Sequence, residues 1–263
     1  FCIVLFSNIY IYNINLIITW INMLRGLFIT AIIFLIWEIS CSIFKIPHFM
    51  LPPPTKVILS IFNNWEELLR HASYTLIEIL ASLFIGSFIG IVTALTISSS
   101  AKLKLWIMPI LLASQSIPVF ALAPLLILWL GYGMISKIVI GVLIVFFPIT
   151  SNFTDALNKV PQELIDAGKT IGFNKSRIFW KIKIPASLPG LCSGIRVGAC
   201  FAPIGAVVGE WIGGSTGLGS FMIYSNARLQ TDNMFAALLI LIFITITLYR
   251  VTDKILSKYV WWK

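Results

Sequence analysis

The sequence predicts an all-α, polytopic membrane protein of about six transmembrane helices, and three observations carry that expectation. Of the 263 residues, 59% are hydrophobic and 11% charged, more apolar side chain than a soluble core encloses. The mean hydropathy is +0.96. The apolar residues also fall in runs of roughly 20, the length a bilayer requires, and the basic residues gather between those runs.

The elements follow in chain order. Residues 1–22 carry no charge and no initial methionine, yet Asn8, Asn13 and Asn15 interrupt their apolar pattern, so they are expected to form an N-terminal extension and not a span. No basic region precedes this stretch and no small-residue cleavage site follows it, which argues against a signal peptide. Met23 and Arg25 then open the transmembrane domain, 23–263. Spans are predicted over Gly26–Phe44, Thr75–Ile97, Leu105–Leu130, Ile135–Thr154, Leu188–Gly209 and Met234–Val251. Pro109, Pro118 and Pro124 interrupt the third, which is expected to kink or break.

Charge sets the orientation. The net charge is +9, but the basic residues form no continuous stripe with interleaved aromatics, which argues against a nucleic-acid partner. Arg25, Lys102, Lys104, Lys159, Lys169, Lys175, Arg177, Lys181, Lys183, Arg250, Lys254, Lys258 and Lys263 fall on one side of the spans. Lys45, Lys56, Arg70, Lys137 and Arg228 fall on the other. That bias places both termini and a loop at about 155–187 in the cytoplasm. Cys2, Cys41, Cys192 and Cys200 lack metal or disulfide spacing, and His48 and His71 are isolated, so the sequence supports no metal site. Glycines four apart, at 86 and 90, at 190, 194 and 198, and at 205 and 209, are expected to let helices approach closely.

The loop between the fourth and fifth spans is the most informative stretch. In Val160-Pro161-Gln162-Glu163-Leu164-Ile165-Asp166-Ala167-Gly168-Lys169-Thr170-Ile171-Gly172, Pro161 suits a helix start, acidic residues follow, and Gly172 suits the end. A short helix outside the membrane is predicted. Phe173 to Lys183 then interleave Lys175, Arg177, Lys181 and Lys183 with Phe173, Ile178, Phe179, Trp180 and Ile182, the pattern of an amphipathic segment lying on a membrane surface. Read without further context, it is equally a basic loop that only sets topology.

The order Asp166-Ala167-Gly168, three residues, Gly172, nine residues, Ile182-Lys183-Ile184-Pro185 resembles the EAA loop of permease subunits of binding-protein-dependent ABC importers. The family pattern is Glu-Ala-Ala, three residues, Gly, nine residues, Ile, any residue, Leu-Pro; Asp166, Gly168 and Ile184 depart from it. Three further stretches resemble the nitrate, sulfonate and taurine branch: Leu51 to Val57, Ser116 to Gly133, and Gly209 to Gly219. Tyr224 to Asp232 is most similar to members assigned to hydroxymethylpyrimidine, a thiamine precursor.

The resemblance implies an ABC importer permease fold in the bacterial inner membrane, without catalysis of its own. It implies a second permease subunit in a homodimer, two ATP-binding subunits and an extracytoplasmic solute-binding protein. No cofactor belongs to this chain. ATP would bind the partner subunit, because a Gly-x4-Gly-Lys-Ser/Thr loop is missing here. Glu163, Asp166, Ala167, Gly168, Gly172 and Pro185 would couple the ATPase to the spans. An embedded enzyme would instead show a nucleophile with its base inside the spans, and a channel would have no reason to keep the EAA spacing.

Ionisable groups inside spans are costly and therefore suspect. Arg196 is a candidate pathway residue or the structural partner of Glu38 or Glu78. Glu210 is a candidate pathway residue or, beside Trp211, an interfacial anchor. With Arg196 the one cation read inside a span, the sequence leans away from nitrate or sulfonate as cargo.

Overall fold

The computed structural model describes residues 24–26 and 28–260; the proposed extension over 1–22 lies outside the described residues. The elements are helices: α1 (Leu24–Ile43), α2 (Pro54–Asn63), α3 (Trp65–Ser99), α4 (Ala101–Ser116), α5 (Val119–Leu130), α6 (Met134–Asn158), α7 (Gln162–Thr170), α8 (Lys175–Ile178), a π-helical turn (Phe179–Lys183), α9 (Ile184–Gly213), α10 (Leu218–Ala227) and α11 (Thr231–Tyr259). No strand occurs among the described residues.

Five helices are long and apolar enough to cross a membrane, and α4 with α5 makes a sixth span if the bent pair counts as one. These match the six spans expected from hydropathy. The third is indeed broken, by 96°. Ile117 takes the extended conformation that a following proline imposes, with φ −93° and ψ 117°, and Pro118, also extended, immediately precedes α5.

Helices α6 and α9 form the central pair, with α3 against both. Their seam is lined by small residues facing large ones: Ala199, Ala202 and Ala206 meet Ile79, Val145 and Ile149, all buried. The spaced glycines serve this packing. A Cβ on Gly205 would lie 2.6 Å from Gly141 Cα, and one on Gly209 would lie 2.9 Å from Lys137 Cα, so α9 and α6 touch backbone to backbone. On the outside, Phe84 is 77% and Leu128 80% exposed, a surface that needs lipid as solvent. Cys41 and Cys192 are buried, whereas Cys200 is exposed.

The structure corrects the outline of the fifth span. Lys175 to Gly213 is one helical run of 39 residues, so the basic amphipathic segment is the first part of the span helix and not a separate element beside it. Pro185 has no N–H for the ladder. The π turn accommodates it: Ile184 N–H bonds to Phe179 O, and the register shifts by one residue just before the proline.

Candidate functional site

Two polar regions lie at different parts of the bundle. The first is α7 and its connection to α9. Pro161 is the residue before the helix, Glu163 lies in the first turn and Lys169 in the last, as the helix dipole favours. Gly172 has φ +81°, a left-handed conformation that lets its N–H bond to Lys169 O at 2.9 Å and Phe173 N–H to Gly168 O at 3.0 Å, closing the helix end. Asp166 Oδ1 accepts from Lys169 Nζ at 2.7 Å and Gln162 Nε2 at 3.0 Å. Lys169 first, then Gln162, hold the Asp166 carboxyl below its ordinary range.

Gly168 is the one buried residue of α7. A Cβ there would run into the Ile182 side chain and come within 3.4 Å of Ile178. The absence of a side chain at 168 is therefore what seats α7 on the helical run that leads into α9. Glu163, Asp166 and Ala167 stay exposed, and so does Pro185 near the start of α9. The structure thus gathers Glu163, Asp166, Ala167 and Gly168 on one short helix, with Gly172 just past its end, and places Pro185 at the start of α9 beyond α8 and the π turn.

The second region is buried. His71, Thr75 and Glu78 come from α3, Lys137 from α6 and Glu210 from α9. Lys137 Nζ lies 2.9 Å from Glu78 Oε1, with 3% and 0% of the side chains exposed, and donates to Thr216 O at 2.8 Å. Thr75 Oγ1 donates to Glu210 Oε1 at 2.6 Å. Gly219 N–H donates to Glu210 Oε2, Leu218 N–H to Thr75 Oγ1 at 2.8 Å and Gly217 N–H to His71 Nδ1 at 3.0 Å. The buried carboxylate thus sits at the N-terminus of α10, where free N–H groups and the helix dipole favour an anion. Ionic and hydrogen-bonded contacts tie the 214–219 turn to three spans.

Glu210 is therefore buried behind this turn, not an exposed interfacial group. Arg196 pairs with neither Glu38 nor Glu78. Its Nε donates to Asp253 Oδ1 of α11 at 2.6 Å, while Glu38 accepts from Thr55 N–H and Oγ1 at 3.1 and 3.0 Å at the start of α2. Lys137 escaped the sequence reading, which counted it among loop charges. The usable signal was a lone lysine at the head of a span with a lone glutamate, Glu78, inside another.

The fold and this geometry define a polytopic membrane protein that holds a short polar helix between two of its spans. Residues 86–258 match the family described as the binding-protein-dependent transport system inner membrane component, and the chain belongs to that family. It is an ABC transporter permease with several membrane-spanning helices.

A probable ABC transporter permease protein of Haemophilus influenzae is 45% identical over 241 residues, covering 92% of this chain and 98% of that relative. The riboflavin transport system permease protein RibX of Chloroflexus aurantiacus is 34% identical, with 90% of each chain covered. The formylaminopyrimidine transport permease protein ThiX of Halalkalibacterium halodurans is 33% identical, covering 87% of this chain and 91% of that one. In fold, the chain resembles an inward-facing structure of the MetNI methionine ABC transporter, with a TM-score of 0.63 over 74% of this chain and 97% of that chain at 23% identity.

Proposed function

We propose that this chain is the membrane subunit of an ABC importer that moves a pyrimidine precursor of thiamine, hydroxymethylpyrimidine, inward by ATP-driven alternating access. The observation that carries the reading is α7: a helix seated through Gly168 on the root of α9, with Glu163, Asp166 and Ala167 turned to solvent. In this role α7 docks on a separate ATP-binding subunit, which hydrolyses ATP, and Gly168 and Pro185 transmit its movement to α9. Both termini and the 155–187 segment face the cytoplasm. A second copy of the chain completes the pathway, and an extracytoplasmic receptor delivers the solute.

The cargo reading draws on the relative named for formylaminopyrimidine, which carries the same ring chemistry. It also draws on the scarcity of free cations inside the bundle. Lys137 and Arg196 are each engaged by a carboxylate, so a pathway for nitrate, taurine or another sulfonate would lack both of them as anion donors. The test is uptake of labelled hydroxymethylpyrimidine into vesicles that contain this chain with its neighbouring ATPase and receptor, in the presence of taurine, nitrate or riboflavin. ATP-dependent uptake that none of the three reduces is expected. Strong competition by one of them reassigns the cargo to that class, and the importer reading then stands without the pyrimidine.

A further inference from the structure

A cavity of about 670 Å³ opens between the last turn of α3, α7 and the root of α9. Ser98 and Ser99 line one wall, and Lys169, Lys175, Trp180 and Lys183 line the others. We propose that this cavity binds the phosphate headgroup of an anionic phospholipid and that the bound lipid steadies α7 against the span. The inference rests on the reading above, in which this end of the bundle faces the cytoplasmic leaflet.

Three observations point to that occupant. The lining contains three lysines and no carboxylate. Lys169 is shared with Asp166, while Lys175 and Lys183 meet no carboxylate within ion-pair distance among the described residues. Two cations are thus left facing one space, where both would attract the same anion. Next, Ser98 Oγ is buried and has no hydrogen-bond partner. A buried hydroxyl of this kind is costly unless something accepts its proton; a turn about χ1 toward the cavity that Ser98 lines would bring it to a phosphoryl oxygen.

The third observation is depth. The apolar run of α3 ends at Ile97 and gives way to Ser98, Ser99 and Ser100, the point at which hydrocarbon yields to headgroups. Trp180, 60% exposed, sits at the same cavity, and tryptophan favours that interfacial level. Leu95 and Phe179 supply an apolar flank against which acyl chains can lie. A free inorganic anion would use the lysines and leave that flank in water. Basic pockets between helices at the cytoplasmic surface suit lipid headgroups for the same electrostatic reason. Because the walls come from a span, from α7 and from the root of α9, one headgroup would bridge the parts whose relative movement coupling requires.

The test uses the full chain purified in a neutral detergent and a fluorescent short-chain phosphatidylglycerol. Saturable binding is expected, with no displacement by phosphatidylcholine or by inorganic phosphate. The double variant K175Q/K183Q should weaken binding about thirtyfold, each lysine near an anionic surface being worth about fivefold. K175R/K183R should bind as the parent does, and K258Q, a basic residue elsewhere on the surface, should bind unchanged. If the double variant fails to fold, Lys175→Gln and Lys183→Gln singly should each weaken binding about fivefold.

Unaltered binding by the glutamine variants at Lys175 and Lys183 overturns the proposal. Displacement by inorganic phosphate overturns it in favour of a free-anion site, and loss of lipid on assembly with the ATP-binding subunits overturns it in favour of a protein contact. Binding is read without transport, so lipid bound normally by a chain that fails in uptake counts against the importer reading alone.

Discussion

The buried ionic cluster and the α7 segment are both polar, and they are built in opposite ways. Around Glu78, Lys137 and Glu210 the polar atoms are buried and, apart from Glu78 Oε2, paired, and the partners come from α3, α6, α9 and the turn before α10. In α7 the polar side chains face outward, and attachment to the rest of the chain rests on one buried glycine beneath Ile178 and Ile182. In the proposed reading, the first region fixes the relative positions of spans and the second presents a surface that shifts with α9. Removing groups from the first should cost stability. Equivalent changes in the second should leave stability nearly intact and act on partner binding.

The sharpest break of this comparison is Lys137→Met, which leaves the buried Glu78 and Glu210 carboxylates without their cation. A loss of about 3–5 kcal/mol is expected, read as a lowered thermal midpoint in detergent. The double variant Lys137→Met with Glu78→Leu should recover much of it, because the orphaned charge is gone. Next in size is Thr75→Val. It leaves Leu218 N–H and one oxygen of Glu210 unpartnered, costs about 1–3 kcal/mol, and should speed hydrogen exchange over residues 214–220.

Moving to α7, Gly172→Ala imposes a Cβ on a residue at φ +81°. That costs about 1–2 kcal/mol locally and should raise exchange in α7 with little change in the thermal midpoint. The smallest effect is expected from Asp166→Asn, an exposed group whose removal should leave the midpoint in place. The sign with pH is set by its lowered carboxyl range. The Lys169 and Gln162 contacts contribute above the ordinary carboxylate range and are lost as pH falls through the lowered value. In the parent, α7 exchange should therefore rise only in acid, and Asp166→Asn should abolish that step.

Much of the fold was legible because lipid imposes a simple rule on sequence: an apolar run of sufficient length is a span. The helices overrun the predicted limits, α3 starting at Trp65 instead of Thr75 and α11 ending at Tyr259 instead of Val251. Hydropathy marks where lipid lies, whereas a helix continues as long as its backbone bonds are favourable. The α2 and α10 helices, ten residues each, are too short for a span-length window to register. The break in the third span was legible because a residue before proline is forced out of the helical region.

Within the site, the α7 limits and the role of Gly172 at its end could be read locally from turn chemistry. The pairings could not. Arg196 and Asp253 are 57 residues apart and Lys137 and Glu78 are 59; they join α9 to α11 and α6 to α3, and which helices adjoin is settled by packing such as that of Gly86 and Gly90 against Val145 and Ile149. In the sequence Gly168 shows only as a departure from the family pattern. Its packing role depends on Ile182, which is brought close by a π turn that hydropathy does not reveal.

The measurement that bears most directly on the account is made on Ala167→Glu, an exposed change on α7 far from the buried cluster. In a purified complex of this chain with its ATP-binding and receptor proteins, the variant is predicted to keep the parent's thermal midpoint, to lose the ATP-binding subunit on copurification and to bring ATP-driven uptake to background. A variant that retained both the subunit and full uptake would contradict α7 as the coupling element.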